Sequence, residues 1–275
     1  MREGEPSGTA TLVAVCRGLA PRVRDPHAAA LVPSRVRPLV EAGMRSRLVR
    51  EAARVASGGV VDHVALRTAT IDEALREAVA AGCGQVVVLG AGLDARAWRL
   101  ALGVPFFEVD HPDTQRRKAQ RAPTEGAPRY VAVDFATTRV ADALEAAGHD
   151  ATVPTAWVWE GVTMYLPDVA VRDTLAQLGE RSAPGSRLVI SYLAEDGVPL
   201  APAVRLGFRM LFGEPLEARY RPAEMRALLE GAGFEVRFDG DSRDWLRDWG
   251  GHPRLARLLR GERLAVAERA AAAAR

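Results

Sequence analysis

Residues 85–96 read QVVVLGAGLDAR, an apolar β-branched run that stops at a pair of glycines and an aspartate. A run without polar alternation describes a strand buried on both faces, as in a parallel sheet covered by helices on each side. Gly90 and Gly92 let the chain turn tightly out of that strand and let a ligand approach the backbone with no Cβ in the way. Working outward, similar runs recur at regular distance: VPFFEVD (104–110), RYVAVDF (129–135), TAWVWEG (155–161), SRLVISYL (186–193) and FEVRFDG (234–240). Helical segments near 112–123, 138–147, 168–182 and 222–232 separate them. This alternation predicts an α/β fold with a doubly wound, mostly parallel sheet, because each parallel crossover requires a helix-length connection.

Upstream of the first strand the pattern is helical, with apolar residues at three- and four-residue spacing such as Val36, Leu39, Val40, Met44 and Leu48. The expected division is a helical cap over 1–82 and a Rossmann-like core over 83–275. Residues 194–219 interrupt the alternation and carry their own apolar stretch, Val204 to Phe212, as an insertion expected to overhang the carboxyl ends of the strands as a lid. The tail GERLAVAERAAAAAR leaves two readings open. Its alanines favour helix, whereas Leu264-Ala-Val-Ala suits a last strand.

With 275 residues, 48% hydrophobic and 26% charged, the chain can bury the core of one large domain or of a domain with a cap. Its 37 basic residues stand against 35 acidic ones, so the net charge of +2 offers nothing to nucleic acid or to an anionic membrane. Cys16 and Cys83 are too few for a disulfide framework and lack metal-ligand spacing with any histidine, so no metal is expected. No stretch reaches the roughly 20 apolar residues of a membrane helix, and MREGEPSG lacks the apolar core of a signal peptide. A cytoplasmic location is the expectation, and oligomeric state stays open.

Ligands of open α/β sheets bind beyond the carboxyl ends of the strands, which places a site at the loop Gly90-Ala91-Gly92-Leu93-Asp94. Gly90-x-Gly92-x-x-Ala95 also fits the dinucleotide fingerprint, so a nicotinamide-dependent dehydrogenase is a rival reading. Asp94 speaks against it, because a carboxylate at a helix start competes with a pyrophosphate for the positive helix end. S-adenosylmethionine carries a sulfonium and an ammonium group and no phosphate, and Asp94, Glu108, Asp110, Asp134 and Glu160 would suit it. Each of these acids, taken alone, is about as readily a cap. As a set they suggest Asp110 for the ribose hydroxyls, Asp134 with Phe135 for the adenine, and Glu160 for the methionine moiety.

VVVLGAGLDARAWRL, FEVDHPDTQRRKAQ, RYVAVDF and PTAWVWEGVTMYLP resemble, in order and at similar spacing, the four cofactor motifs of the leucine carboxyl methyltransferases. DPHAAALV and HVALRTATIDEAL are similar to that family's helical lead-in, and the resemblance runs from about Thr9 to Phe238. It points in particular to the bacterial branch with the tetracenomycin-type polyketide carboxyl O-methyltransferases. It implies a class I methyltransferase fold and S-adenosylmethionine as cofactor. Residue by residue, it implies that Arg67 grips the cofactor carboxylate, a task suited to a guanidinium fork. Gly90 lies on the glycine loop, Asp110 at the ribose, Asp134 and Phe135 at the adenine, Glu160 at the amino-acid moiety, and Tyr165 near the reacting centre. Ala95 and Phe135 depart from the family's usual threonine and leucine, and neither change removes a charge.

The expected activity is methyl transfer to the carboxylate or phenol oxygen of a small molecule, such as a polyketide-like secondary metabolite. A carboxylate acceptor is ionised near neutral pH and needs no general base, whereas a phenol does. Tyr165 and Tyr192 could donate a hydrogen bond to it, while Trp157 and Trp159 suit the core of their strand. His63, one helical turn before Arg67, and His111, beside Asp110, read as structural residues. Methylation of a protein C-terminal carboxylate, and cofactor binding without catalysis, also stay open.

Overall fold

The computed structural model describes residues 7–20, 23, 25–195, 216–245 and 261–270. Five helices lead in: α1 (Gly8–Leu19), α2 (Ala28–Leu31), α3 (Arg37–Arg45), α4 (Arg47–Ala56) and α5 (Val60–Ala80). The alternating part follows as β1 (Gln85–Leu89), α6 (Arg96–Leu100), β2 (Phe106–Asp110), α7 (Pro112–Ala119), β3 (Arg129–Ala132), α8 (Val140–Ala146) and β4 (Thr155–Trp159). A 3-10 turn (Thr163–Tyr165), α9 (Asp168–Glu180), β5 (Arg187–Leu193), α10 (Pro222–Gly231), β6 (Phe234–Asp241) and β7 (Glu262–Arg269) complete the described elements.

The seven strands form one sheet in the order β3-β2-β1-β4-β5-β7-β6. The first five are parallel and β7 runs antiparallel to both of its neighbours. The expected doubly wound sheet is therefore observed. Glu262–Arg269 of the tail form a strand, with Leu264 and Ala267 buried within the sheet between two neighbours, while residues 271–275 lie outside the described residues. Residues 196–215, which hold most of the anticipated insertion and its whole apolar stretch, lie outside the described residues.

Why β1 is apolar throughout is visible in its packing. Val87 and Leu89 face a layer built from Leu144 of α8, Leu175 of α9 and Leu229 of α10, with Trp157 and Trp159 of β4 among them. Val86 and Val88 face the opposite layer, where Leu66, Ile71 and Leu75 of α5 pack. Both tryptophans are fully buried, as the sequence suggests for core residues of that strand. No helix among the described residues is long and apolar enough to cross a membrane.

The amino edge of the sheet holds a buried imidazole. His149 accepts from Arg181 Nε at 3.3 Å and meets Thr155 Oγ1 at 3.0 Å. Burial pushes it down to about 4, with Arg181 adding to the effect, so it is neutral in the fold and takes a proton more readily once unfolded. Its contribution to stability is whole above the unfolded pKa of about 6.5 and is lost as pH falls toward 4. Lowering the pH from about 7 to about 5 is expected to remove about 2 kcal/mol by this route. Glu108, pushed up to about 7 by burial, acts in the opposite sense in the same window. The comparison is therefore between the chain and its His149→Gln variant, by urea unfolding at both pH values. Equal pH slopes would contradict the assignment.

Candidate cofactor site

β1 delivers its loop to the carboxyl edge of the sheet through two left-handed glycines, Gly90 at φ +62° and Gly92 at φ +51°. A Cβ on Gly90 would come 2.3 Å from Val162 Cγ2, so the loop after β4 closes directly over it. A Cβ on Gly92 would lie 3.1 Å from Ala10 Cβ, which belongs to α1. The first helix thus lies across the glycine loop. Ala91 ties the loop to β2 through its N–H, which donates to Val109 O at 3.1 Å.

Asp110 ends β2 beside this loop. Its carboxylate accepts the Gly92 N–H in a very short bond and the His111 N–H at 2.6 Å. Burial pushes it up, against those two donors. Asp134 is half-buried, accepts the Ala136 N–H at 2.9 Å and shapes its own turn, which is the capping role that a lone aspartate favours. Phe135 stacks on Trp159 with 6.4 Å between ring centroids. Glu108 belongs elsewhere. It is buried against Lys118, the one lysine of the chain, and faces the interior.

The centre of the site is a lattice of buried charge. Glu160, just past β4, receives Arg17 Nη2 at 2.9 Å, Arg67 Nε at 2.9 Å and Arg96 Nη2 at 2.6 Å. Arg96 also bonds Asp72 at 2.8 Å and, closely, Asp94, which Arg17 reaches at 3.2 Å. Arg67 carries both Glu262 oxygens on Nη1, at 2.7 and 2.8 Å, and Arg99 holds the far side of Asp72. Arg17, Arg67, Arg96 and Arg99 thus face Asp72, Asp94, Glu160 and Glu262, four charges of each sign, every side chain at most 9% exposed. Burial would push the acids up. The guanidinium groups outweigh it, hold Glu160 well below the carboxylate range and bring Asp94 to about 2.

Arg67, Asp94 and Glu160 are thereby brought into one network, with Gly90, Ala91, Gly92 and Asp110 at its rim. Tyr165 sits on the 3-10 turn and reaches α1, its hydroxyl 3.4 Å from Thr9 Oγ1. Tyr192 is directed elsewhere, donating to Asp239 at 2.7 Å. His63 is buried on Glu262 at 2.9 Å and beside the Trp245 ring, and His111 accepts the Asp113 N–H as the cap of α7. Sequence reasoning missed Arg17, Arg96 and Glu262. Arg17 had a usable signal, as the single charge in the otherwise apolar stretch TATLVAVCRGLA. Arg96 lay inside the glycine motif with no role assigned, and Glu262 lay past the end of the resemblance.

One inference from the sequence needs correction. Asp94 cannot repel a pyrophosphate by its charge, because two arginines neutralise it. The stronger objection to a dinucleotide is α6 itself, five residues long and hence a weak source of positive helix end, beneath a first helix that already contacts the loop.

A model of leucine carboxyl methyltransferases matches residues 8–179. The chain belongs to the leucine carboxyl methyltransferase family. Curated relatives include a protein of Streptomyces coelicolor, 46% identical over 155 residues that make up 54% of each chain. Another, from Mycobacterium avium, is 40% identical over 66% of this chain and 64% of its own. Both are provisionally named S-adenosyl-L-methionine-dependent methyltransferases, and the chain spans only 54% and 64% of their lengths. Among solved structures, a provisionally named methyltransferase from Thermobifida fusca superposes with TM-score 0.64 at 18% identity, over 98% of this chain and 97% of its own. A DUF574 family protein from Streptomyces avermitilis gives TM-score 0.64 at 16% identity, over 96% of this chain and 98% of its own. These likenesses show a class I methyltransferase fold for this member of the leucine carboxyl methyltransferase family.

Proposed function

We propose that this chain is an S-adenosyl-L-methionine-dependent O-methyltransferase that methylates a carboxylate or phenol oxygen of a small molecule, such as a polyketide-like secondary metabolite. One observation supports it most: a balanced lattice of guanidinium and carboxylate groups at the carboxyl edge, next to a glycine loop closed to side chains. The amino-acid moiety of the cofactor is a zwitterion. Its carboxylate suits Arg67 and its ammonium suits Glu160, so binding exchanges one internal ion pair for two and leaves the lattice neutral. Asp110 would take the ribose and the Asp134–Phe135 turn the adenine, while Asp94 holds the loop in shape through Arg17 and Arg96.

When bound, the cofactor supplies a methyl group activated by its positive sulfur. The protein's task is then to hold an acceptor oxygen in line with that carbon at near-contact distance. Tyr165 is the side chain we assign to orient the acceptor. His63 and His111 are engaged structurally, so neither is offered as a base, and this favours an acceptor that is already ionised.

Calorimetric titration tests the cofactor: S-adenosylmethionine should bind, and tight binding of a nicotinamide dinucleotide in its place would overturn the reading. A mass-shift screen of aromatic and polyketide-like acids, with phenols and a peptide bearing a free terminal carboxylate, then finds the acceptor. Tyr165→Phe is expected to lower turnover about tenfold and to leave cofactor affinity within about twofold. Unchanged turnover would remove Tyr165 from the reacting centre.

A further inference from the structure

The last strand of the sheet enters the site through a single residue. β7 is antiparallel to β5, so its first residue, Glu262, pairs with Leu193 at the carboxyl edge where ligands of such sheets bind. The strand start is pinned there by the Ala194 N–H, which donates to Gly261 O at 2.7 Å. Glu262 points inward, its side chain 9% exposed, and meets α5 at two positions one helical turn apart. Both of its oxygens accept from Nη1 of Arg67, and Oε2 also lies 2.9 Å from Nε2 of His63. Arg67 is thus held from two sides, Nη1 by Glu262 and Nε by Glu160. Its Nη2 lies beside Gly161, where a Cβ would come 3.9 Å from it, and makes no hydrogen bond to a described residue.

We propose that Glu262 is a positioning residue that fixes the guanidinium of Arg67 to receive the cofactor's carboxylate, making the C-terminal strand part of the cofactor site. The proposal rests on the reading above, in which Arg67 takes that carboxylate. An unheld arginine has several rotatable bonds to order on binding, and a pair held by short charged bonds has lost that freedom in advance. Glu160 is also held by Arg17 and Arg96, whereas Arg67 is the only guanidinium among the described residues on Glu262. A carboxylate arriving from the loop can therefore exchange with Glu160 and leave the Glu262 pair intact. Burial alone would push Glu262 up, but Arg67 and His63 hold it at about 2, so the pair persists at any working pH.

The test uses two ligands, S-adenosylmethionine and its decarboxylated analogue, titrated calorimetrically into the full chain. The unaltered protein should prefer the intact cofactor. Glu262→Gln, which keeps the shape and removes the charge, is expected to weaken that cofactor about tenfold and the decarboxylated analogue less than twofold. Glu262→Asp, which keeps the charge one methylene short, should fall between. A merely structural role would weaken both ligands alike, and that result, or no change in either, would overturn the proposal. Arg67→Met separates this from the underlying reading. If Arg67→Met abolishes the preference and Glu262→Gln retains it, positioning by Glu262 fails alone; if Arg67→Met retains it, the assignment of Arg67 fails.

Discussion

Arg96→Met should destabilise the protein by about 3–5 kcal/mol, read as a shift of the urea midpoint at neutral pH. Arg96 is fully buried and serves three carboxylates, Asp72, Asp94 and Glu160. Each keeps another partner, Arg99, Arg17 and Arg67 among them, so none is orphaned. The cost arises because the lattice, with every side chain at most 9% exposed, would hold one negative charge too many. Methionine fills the volume of the stem and isolates the electrostatic part. The exposed pair Arg76–Glu73 provides the contrast, and Arg76→Met should change stability by less than about 0.5 kcal/mol. A small effect at Arg96 would mean that the lattice is hydrated and contributes little.

The second large effect is on binding. Arg67→Met is expected to weaken S-adenosylmethionine about 100-fold, because a charged, two-pronged contact to the carboxylate is lost. The same substitution should also cost stability. Arg67 is 6% exposed and is the only guanidinium among the described residues that bonds Glu262, which would keep His63 alone. The sequence suggests a position that acts at a site rather than in a core, where substitution affects affinity well before folding. The structure makes it both, so the titration must be read beside an unfolding curve. Affinity unchanged in a folded variant would exclude Arg67 from the carboxylate.

The difference between what was legible in the sequence and what was not follows from the range of each signal. β1 and its loop were legible because burial on both faces and a tight turn each impose a local composition, apolar in Val86 to Leu89 and glycine at 90 and 92. The acids past the later strands were legible as a set, since Asp110, Asp134 and Glu160 end three consecutive runs on one edge. Their partners were not. Arg17 and Glu160 are separated by 143 positions and Arg67 and Glu262 by 195, and no periodicity spans such distances. For the same reason Asp94 looked like a free charge and Glu108 like a ligand. The residues that neutralise them, Arg17 and Lys118, come from other elements.

The placement of α1 has a practical consequence for handling the protein. Ser7 caps this helix, Thr9 and Ala10 touch the 3-10 turn and the glycine loop, and Arg17 bonds Asp94 and Glu160. The described chain therefore enters at the mouth of the site. It leaves at the opposite edge, where Glu268 pairs with Arg187 at the start of β5. A small fluorophore attached on α1 would sit at the mouth of the site and report a ligand entering it, whereas the same label near Glu268 would lie on the far side of the sheet.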